Sequence, residues 1–137
     1  MAFWENYFHV VWATYRRSLI IQTANEDFIA SMIRQKSSEL QCPVHAVNMM
    51  PDHVHVAVSI KPSISQFEWV RQIKGITARE MNRAYNLDSH FRWQKSFGIS
   101  TLGKRQLPIV IEYIENQKNR HANNDIYIAL ENCGDNS

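Results

Sequence analysis

The chain has 137 residues, 45% of them hydrophobic and 20% charged, which are the proportions of an ordinary globular protein with one core. No apolar run is long enough to span a membrane and the N-terminus lacks the apolar segment of a signal peptide, so we expect a cytoplasmic protein. The net charge of +2 does not by itself indicate a nucleic-acid partner, and Cys42 and Cys133 follow no disulfide or zinc pattern.

The first half of the chain predicts strands around a helix. Residues 7–15 are rich in β-branched and aromatic side chains, which favour a strand. Thr23 and Glu26 have the spacing of a capping box, so a helix is expected over 24–40. The next two predicted elements are antiparallel strands joined by a tight turn, over 44–49 and 53–60.

A second capping box begins the other half of the chain. Ser65 and Glu68 form it, and the helix that follows contains Gly75, where we expect a break or kink. The remaining predicted elements are a strand within 91–101, with a bulge at Gly98, and a helix from Leu107 to His121.

This order of elements predicts an α+β fold. The sequence β-α-β-β-α-β is that of the ferredoxin-like split βαβ arrangement, in which two helices cover one face of a four-stranded antiparallel sheet. The additional helix, which carries Tyr113, can cross the other face. We expect one domain over residues 1–122 and a short polar tail over 123–137, in which Ile126 to Leu130 could pack or form a short element.

Two histidines share one face of the third predicted strand. Side chains alternate along a strand, so the valines of 54–58 lie on one face and His53 and His55 lie together on the other. Neutral imidazole is the commonest metal-binding side chain, and this pair would supply half of a metal site. Histidines two residues apart also occur by chance, and two solvated or hydrogen-bonded imidazoles are the alternative.

A second pair of polar side chains lies on the last predicted helix. Tyr113 and Gln117 are four residues apart, so the phenol and the amide project from the same face. The alternative is a half-buried tyrosine that packs an amphipathic helix against the sheet, with Gln117 at its edge.

Together these motifs resemble a known family. His53-Val54-His55 is similar to the histidine–hydrophobic–histidine motif of HUH endonucleases, and Tyr113-Ile114-Glu115-Asn116-Gln117 resembles the tyrosine helix of the single-tyrosine transposases, the IS200-like and REP-associated type. Further segments occur in the family's order, and the resemblance spans residues 5–122: Phe8 to Arg17, Pro51 to His55, Ile73 to Thr77 and Trp93 to Ser100.

The resemblance implies an enzyme that cleaves and rejoins single-stranded DNA. Tyr113 would be the nucleophile and would form a 5′-phosphotyrosine. His53, His55 and Gln117 would bind Mg²⁺ or Mn²⁺. The family acts as a homodimer on hairpin ends, so the resemblance also implies a dimer and single-stranded DNA hairpins as partners.

Basic and aromatic residues are interleaved along the chain, as single-strand binding requires. On charge and position alone, the candidate DNA contacts are Arg16, Arg17, Lys74, Lys95 and Lys104. For any one of them, a solvated surface position is the alternative.

Three other residues lie near the motifs in the predicted fold. His121 is one turn beyond Gln117 and is either an additional ligand or a cation at a helix C-terminus. His9 on the first strand lines the site or belongs to the core, and Asp52 either orients His53 or only forms the turn.

Other functions fit parts of the same pattern. One is a ferredoxin-like nucleic-acid-binding module, including a domesticated transposase that no longer cleaves. Another is a small metallohydrolase that uses the two histidines with a water nucleophile. A nicking enzyme of replication or conjugation would need domains for which 137 residues leave no room.

Overall fold

The structure, a computed structural model, describes residues 4–87 and 89–134. The described residues form strands β1 (Tyr7–Ala13), β2 (Val44–Met50), β3 (His53–Ser59) and β4 (Gly98–Leu102). They also form helices α1 (Thr23–Glu39), α2 (Gln66–Ala84), α3 (Leu107–Glu115), α4 (Gln117–Ala122) and α5 (Ile128–Glu131).

The strands make one antiparallel sheet in the order β2-β3-β1-β4. The predicted α+β class and ferredoxin-like sheet are therefore confirmed. Strand β3 is an inner strand, with Val11 of β1 opposite His55 and Ala13 opposite His53. Because β3 has a partner on each side, the backbone beneath the two histidines is held by two hydrogen-bonded ladders.

One face of the sheet carries the main core. The valines of β3 and alternate residues of β1 pack there against α1 and α2. Three buried indoles meet edge to face at its centre, with ring centroids 6.2 Å apart for Trp12 and Trp69 and 5.8 Å apart for Trp12 and Trp93. The indole N–H of Trp69 donates to Ser37 Oγ at 2.9 Å, so helix α1 is tied to α2 through a buried polar contact.

The opposite face carries α3, α4 and α5. Ala46 and Ala57 lie beneath Val110 and Ile114 of α3, and these four side chains are buried. Small side chains on the strands let a helix approach the sheet closely. The histidines of β3 lie at the edge of this contact. We call this the helix α3 face and the other the indole face.

Several local predictions differ from the structure. Gln22, not Thr23, precedes α1, and its N–H donates to Asn25 Oδ1 at 3.2 Å. Helix α2 runs without a break through Gly75, which lies on an exposed part of the helix. Gly98 pairs regularly with Val11 and forms no bulge. Packing of the buried side of α2 outweighs the weak helix preference of one glycine.

The tyrosine-bearing segment is two helices instead of the single predicted one. Asn116 separates α3 from α4, and its side-chain amide donates to the Glu112 carbonyl at 3.0 Å. A side chain that bonds the preceding turn competes with the helical ladder at that position. Tyr113 therefore lies near the C-terminus of α3 and Gln117 at the start of α4.

The chain continues past α4 and returns to the sheet. The four residues of α5 pack beside β1 and β4, and Cys133 is buried against Val11 and Ala13. Both cysteines are free and buried. Within residues 4–87 and 89–134, no helix has the length and apolar character needed to cross a membrane.

Candidate functional site

Strand β3 places both histidines on the helix α3 face, where His53 is 2% and His55 0% exposed. His53 Nδ1 donates to Asp52 Oδ1 at 2.7 Å. His55 Nδ1 shares one proton with His9 Nε2 at 2.9 Å. Each imidazole is thereby fixed through Nδ1 and presents Nε2 to the space under the helices, which is the arrangement of metal-binding histidines. Asp52 and His9 therefore orient the histidine pair.

Helices α3 and α4 bring the predicted tyrosine and glutamine to the same space. Tyr113 and Gln117 are both fully buried, and the Tyr113 ring centroid lies 6.0 Å from that of His55. Gln117 Oε1 is 3.0 Å from His121 Nε2. The structure thus collects Tyr113, Gln117 and the histidine pair of β3 in one cluster within a single chain.

A carboxylate that the sequence did not indicate lies at the centre of this cluster. Glu131 Oε1 is 3.1 Å from His53 Nε2, 3.2 Å from His55 Nε2 and 3.3 Å from His121 Nε2. Glu131 Oε2 accepts a hydrogen bond from the Tyr113 hydroxyl. One carboxylate therefore connects the three imidazoles to the phenol.

Sequence reasoning missed Glu131 because it lies outside every motif. It is the last residue of α5 and lies within residues 123–137, which we expected to be a polar tail. The short apolar run from Ile126 to Leu130 was the one available signal that this segment packs against the domain. That run does not show which acidic residue reaches the histidines.

Burial and charge set the protonation of the cluster. Burial lowers the pKa of His9 to about 3 and also lowers that of His55, so both rings are neutral near pH 7. Burial acts in the same direction on His53, but the Asp52 and Glu131 carboxylates outweigh it and raise its pKa. Burial and the neighbouring Glu131 carboxylate raise the pKa of Tyr113 to about 12.

The carboxylate itself stays ionised. Burial would raise the pKa of Glu131, but its contacts with His53 and His55 hold the pKa well below its usual range. A negative oxygen surrounded by imidazole nitrogens needs positive charge between them, supplied by protons or by a cation.

The cluster fits a divalent cation. His53 donates its Nδ1 proton to Asp52, so in the neutral ring Nε2 carries a lone pair. This buried nitrogen has no hydrogen-bond partner among the described residues, although it lies 3.1 Å from Glu131 Oε1. The cluster of His53, His55, His121 and Glu131 places one donor atom from each residue within 4.8 Å of the others. Imidazole nitrogen with carboxylate or amide oxygen is a donor set that Mn²⁺ and Mg²⁺ accept.

The predicted DNA contacts have different surroundings. Arg17 pairs with Asp52 at 3.2 Å, and Lys74 donates to the Gln94 and Ser96 carbonyls at 2.8 and 2.7 Å. Of the five predicted contacts, three are exposed, namely Arg16, Lys95 and Lys104, the last 3.9 Å from Glu5. Arg92, which was not predicted, lies 4.0 Å from the centroid of the Tyr15 ring, and Arg16 lies 5.1 Å from it. This exposed group combines cations with an aromatic face.

The fold is found among solved transposases. A candidate transposase from Deinococcus radiodurans R1 superposes with a TM-score of 0.67 at 23% identity, over 85% of this chain and 95% of that one. A REP-associated tyrosine transposase bound to a REP hairpin gives a TM-score of 0.63 at 15% identity, over 92% of this chain and 76% of that one. At these identities the likeness concerns the fold.

Sequence comparison shows the family to which the chain belongs. The ISDra2 transposase TnpA of Deinococcus radiodurans is 26% identical over 118 residues, which cover 82% of this chain and 84% of that protein. The family model described as "Transposase IS200 like" matches residues 2–117. The chain belongs to the IS200-like transposase family, and the predicted family is confirmed.

Proposed function

We propose that this transposase cleaves and rejoins single-stranded DNA through a covalent bond between Tyr113 and a 5′-phosphate. The observation that carries the proposal is the shared carboxylate of Glu131. It contacts the Tyr113 hydroxyl through one oxygen and the imidazoles of His53 and His55 through the other. The nucleophile and the group that binds the scissile phosphate must both be close enough to contact that phosphate. Here both occur in one buried cluster.

The cation site in this proposal is formed by His53 and His55, with Gln117 as the third predicted ligand. A divalent cation bound there, Mg²⁺ or Mn²⁺, would withdraw charge from the scissile phosphate. The imidazole pair favours Mn²⁺ over Mg²⁺. Asp52 keeps His53 in the tautomer that leaves its Nε2 lone pair available, through a contact of 2.7 Å, and His9 holds the His55 ring through Nδ1 at 2.9 Å.

Cleavage in this scheme is one displacement at phosphorus. The Tyr113 oxygen forms a bond to the phosphorus, the bond to the 3′ oxygen breaks, and the departing alkoxide takes up a proton to become a 3′-hydroxyl. The phenol must lose its proton, and its pKa of about 12 makes this loss unfavourable near pH 7 in the DNA-free protein. The bond energy is retained, so a second 3′-hydroxyl can reseal the strand by the reverse step.

The proposed substrate is a hairpin with single-stranded flanks. A structural neighbour is a tyrosine transposase bound to a REP hairpin, and this chain presents an exposed arginine pair on an aromatic ring at Tyr15. Arginine and aromatic faces bind unpaired nucleotides without reading a duplex. We propose Arg16, Lys95 and Lys104 as phosphate contacts, with Arg17 and Lys74 acting through the loops that they hold.

We also propose a homodimer, on the family resemblance. Within one chain Tyr113 already lies beside His53 and His55, so this arrangement does not require exchange of the tyrosine helix between subunits. Sedimentation of the protein with and without a hairpin measures the state. Mixing Tyr113→Phe with His55→Ala protein then tests exchange, because only exchanged helices would restore cleavage in a mixed dimer.

A denaturing gel tests the mechanism. The protein is incubated with Mn²⁺ and labelled single-stranded hairpins from the DNA that flanks its gene, beside Tyr113→Phe. We expect a protein–DNA adduct that requires the metal and is absent from the variant and from duplex substrate. Cleavage that forms no adduct and that persists in Tyr113→Phe would show that the nucleophile is water and not the tyrosine. Tight hairpin binding without cleavage by the wild-type protein would instead support a binding module.

A further inference from the structure

We propose that Glu131 is a ligand of the divalent cation, so that the site has a carboxylate donor and binds Mn²⁺ in the absence of DNA. The inference rests on the proposed cation site and adds to it a residue that follows the family match at residues 2–117. His121 stands next to the carboxylate and would complete a set of three imidazole nitrogens and one carboxylate oxygen.

The spacing of the donor atoms is the first argument. Ligands that bind one ion at about 2.0–2.2 Å, with angles between 90° and 110°, lie roughly 3.0–3.5 Å from one another. Glu131 Oε1 is 3.1, 3.2 and 3.3 Å from the Nε2 atoms of His53, His55 and His121. These three separations are those of adjacent ligands around a single ion.

The second argument is that the donors are held from behind. His53 is bound by Asp52 and His55 by His9, each through the nitrogen that faces away from the cluster. Glu131 is held through Oε2 by the Tyr113 hydroxyl, which leaves Oε1 for the cluster. A ligand set whose outer atoms are already bonded loses little freedom when the ion binds.

The third argument is the way in which the chain seats Glu131. The Tyr127 ring stacks on the Tyr113 ring with centroids 4.7 Å apart, and the Tyr127 N–H donates to the Tyr113 oxygen at 3.0 Å. On the other side of Glu131, a Cβ on Gly98 would lie 1.8 Å from the Asn132 carbonyl oxygen. Only glycine allows this approach, so β4 and α3 together define where the carboxylate lies.

The site is also accessible to an ion. The side chains of His53 and His55 are 3% and 0% exposed, whereas those of Glu131 and His121 are 13% and 24% exposed. The cation would enter from the side of α4 and α5, where His121 and the carboxylate are partly exposed. Three nitrogen donors favour Mn²⁺ over Mg²⁺, which prefers oxygen ligands and retains its waters.

Binding of Mn²⁺ to metal-free protein tests the inference without any DNA. The six-line electron paramagnetic resonance signal of free Mn²⁺ is measured during titration of wild type, Glu131→Gln and Glu115→Gln. Glutamine keeps the size of the side chain and removes its charge, and Glu115 is an exposed glutamate of α3 that serves as the matched control. We expect Glu131→Gln to weaken Mn²⁺ binding at least 10-fold and Glu115→Gln to change it less than twofold.

A backbone variant supports the same measurement. Gly98→Ala alters no donor atom but forces the segment around Asn132 away from β4, so it should weaken Mn²⁺ binding in the same direction as Glu131→Gln. Circular dichroism shows whether each variant is folded. An affinity in folded Glu131→Gln equal to or tighter than that of wild type would overturn the inference.

A His55→Ala variant distinguishes failure of the Glu131 ligand from failure of the proposed cation site. Loss of Mn²⁺ binding in His55→Ala, together with unchanged binding in Glu131→Gln, would retain the histidine site and overturn only the carboxylate ligand. Unchanged binding in both variants would overturn the cation site as a whole. Weakened binding in both supports the four-donor site.

Discussion

The two faces of the sheet use the same strands in different ways. On the indole face, alternate residues of β1 and β3 are apolar and pack against two long helices. On the helix α3 face, the intervening residues of these strands include His9, His53 and His55, and three short helices bring a phenol, an amide and a carboxylate to them. Period-2 alternation thus lets one strand stabilise the fold through one set of side chains and carry chemistry through the other.

Because of this difference, we expect substitutions on the two faces to be detected by different measurements. Packing energy depends on volume and is read as a free energy of unfolding. The chemistry of the site depends on the direction of a few polar atoms and is read as a rate. Adjacent residues of β3 make the comparison within one strand.

The largest expected effect is on cleavage by His55→Gln. Glutamine can still hydrogen-bond His9 but does not replace an imidazole ligand, and a bound cation contributes several kcal/mol to stabilising charge at phosphorus. We expect the single-turnover rate of hairpin cleavage to fall about 1000-fold, with the urea midpoint changed little. Cleavage within tenfold of wild type would remove His55 from the site.

The neighbouring substitution Val56→Ala should show the opposite behaviour. It removes buried methyl groups from the indole face, where Val56 is 0% exposed. At about 0.8 kcal/mol per methylene with an added cavity term, we expect roughly 2–3 kcal/mol less stability in urea unfolding. Cleavage at 10 °C, where the variant remains folded, should stay within twofold of wild type. A large loss of rate there would mean that the faces are coupled.

Acid should have a smaller effect, on the free energy of unfolding, through a buried histidine of the helix α3 face. Burial lowers the pKa of His9 from 6.5 to about 3, so below pH 6.5 the unfolded chain binds more protons than the folded chain. The free energy of unfolding therefore falls as the pH decreases from 7 towards 3, by about 1–2 kcal/mol at pH 5 from this group. His55 acts in the same direction, whereas the raised pKa of His53 opposes it.

Urea unfolding at pH 7 and pH 5 in the presence of EDTA measures the contribution of His9 to the pH dependence of stability. The wild type is compared with His9→Gln, which lacks the titrating group, and with His90→Gln at an exposed histidine. We expect the loss between the two pH values to be smaller in His9→Gln and unchanged in His90→Gln. Equal losses in all three proteins would show that His9 does not contribute.

The smallest expected effect concerns exposed cations. Lys95→Ala removes one proposed phosphate contact, which should weaken hairpin binding a few-fold and reduce the slope of log K against log salt by about 1. Lys36→Ala is the control, because Lys36 lies on α1 and pairs with Glu39 at 3.5 Å. Identical salt slopes for the two variants would exclude Lys95 from the interface.

Strand β3 explains why so much of the fold was predictable. Its alternation of valine with histidine fixes which side chains share a face, and the element order around it limits the topology to a ferredoxin-like sheet. The helix that carries Tyr113 could be placed in the same way, since apolar residues recur along it at helical spacing.

Glu131 could not be placed because its position depends on long-range contacts. It reaches the histidines through a chain reversal after α4, stacking of Tyr127 on Tyr113, and an approach to Gly98. None of these contacts has a periodic signature. The interruption at Asn116 was missed for a related reason, since one side-chain hydrogen bond to Glu112 outweighs a helical pattern that is otherwise continuous.

The three edge-to-face indoles have a spectroscopic consequence. Trp12, Trp69 and Trp93 are buried on the indole face, and the fourth tryptophan of the chain, Trp4, is half-buried near its start. Intrinsic fluorescence therefore reports mainly the environment between the sheet and helices α1 and α2. Ion binding or displacement of α5 would leave that emission almost unchanged, while loss of the core would shift it to longer wavelength. An optical reporter for the histidine cluster would have to be introduced on the other side of the sheet.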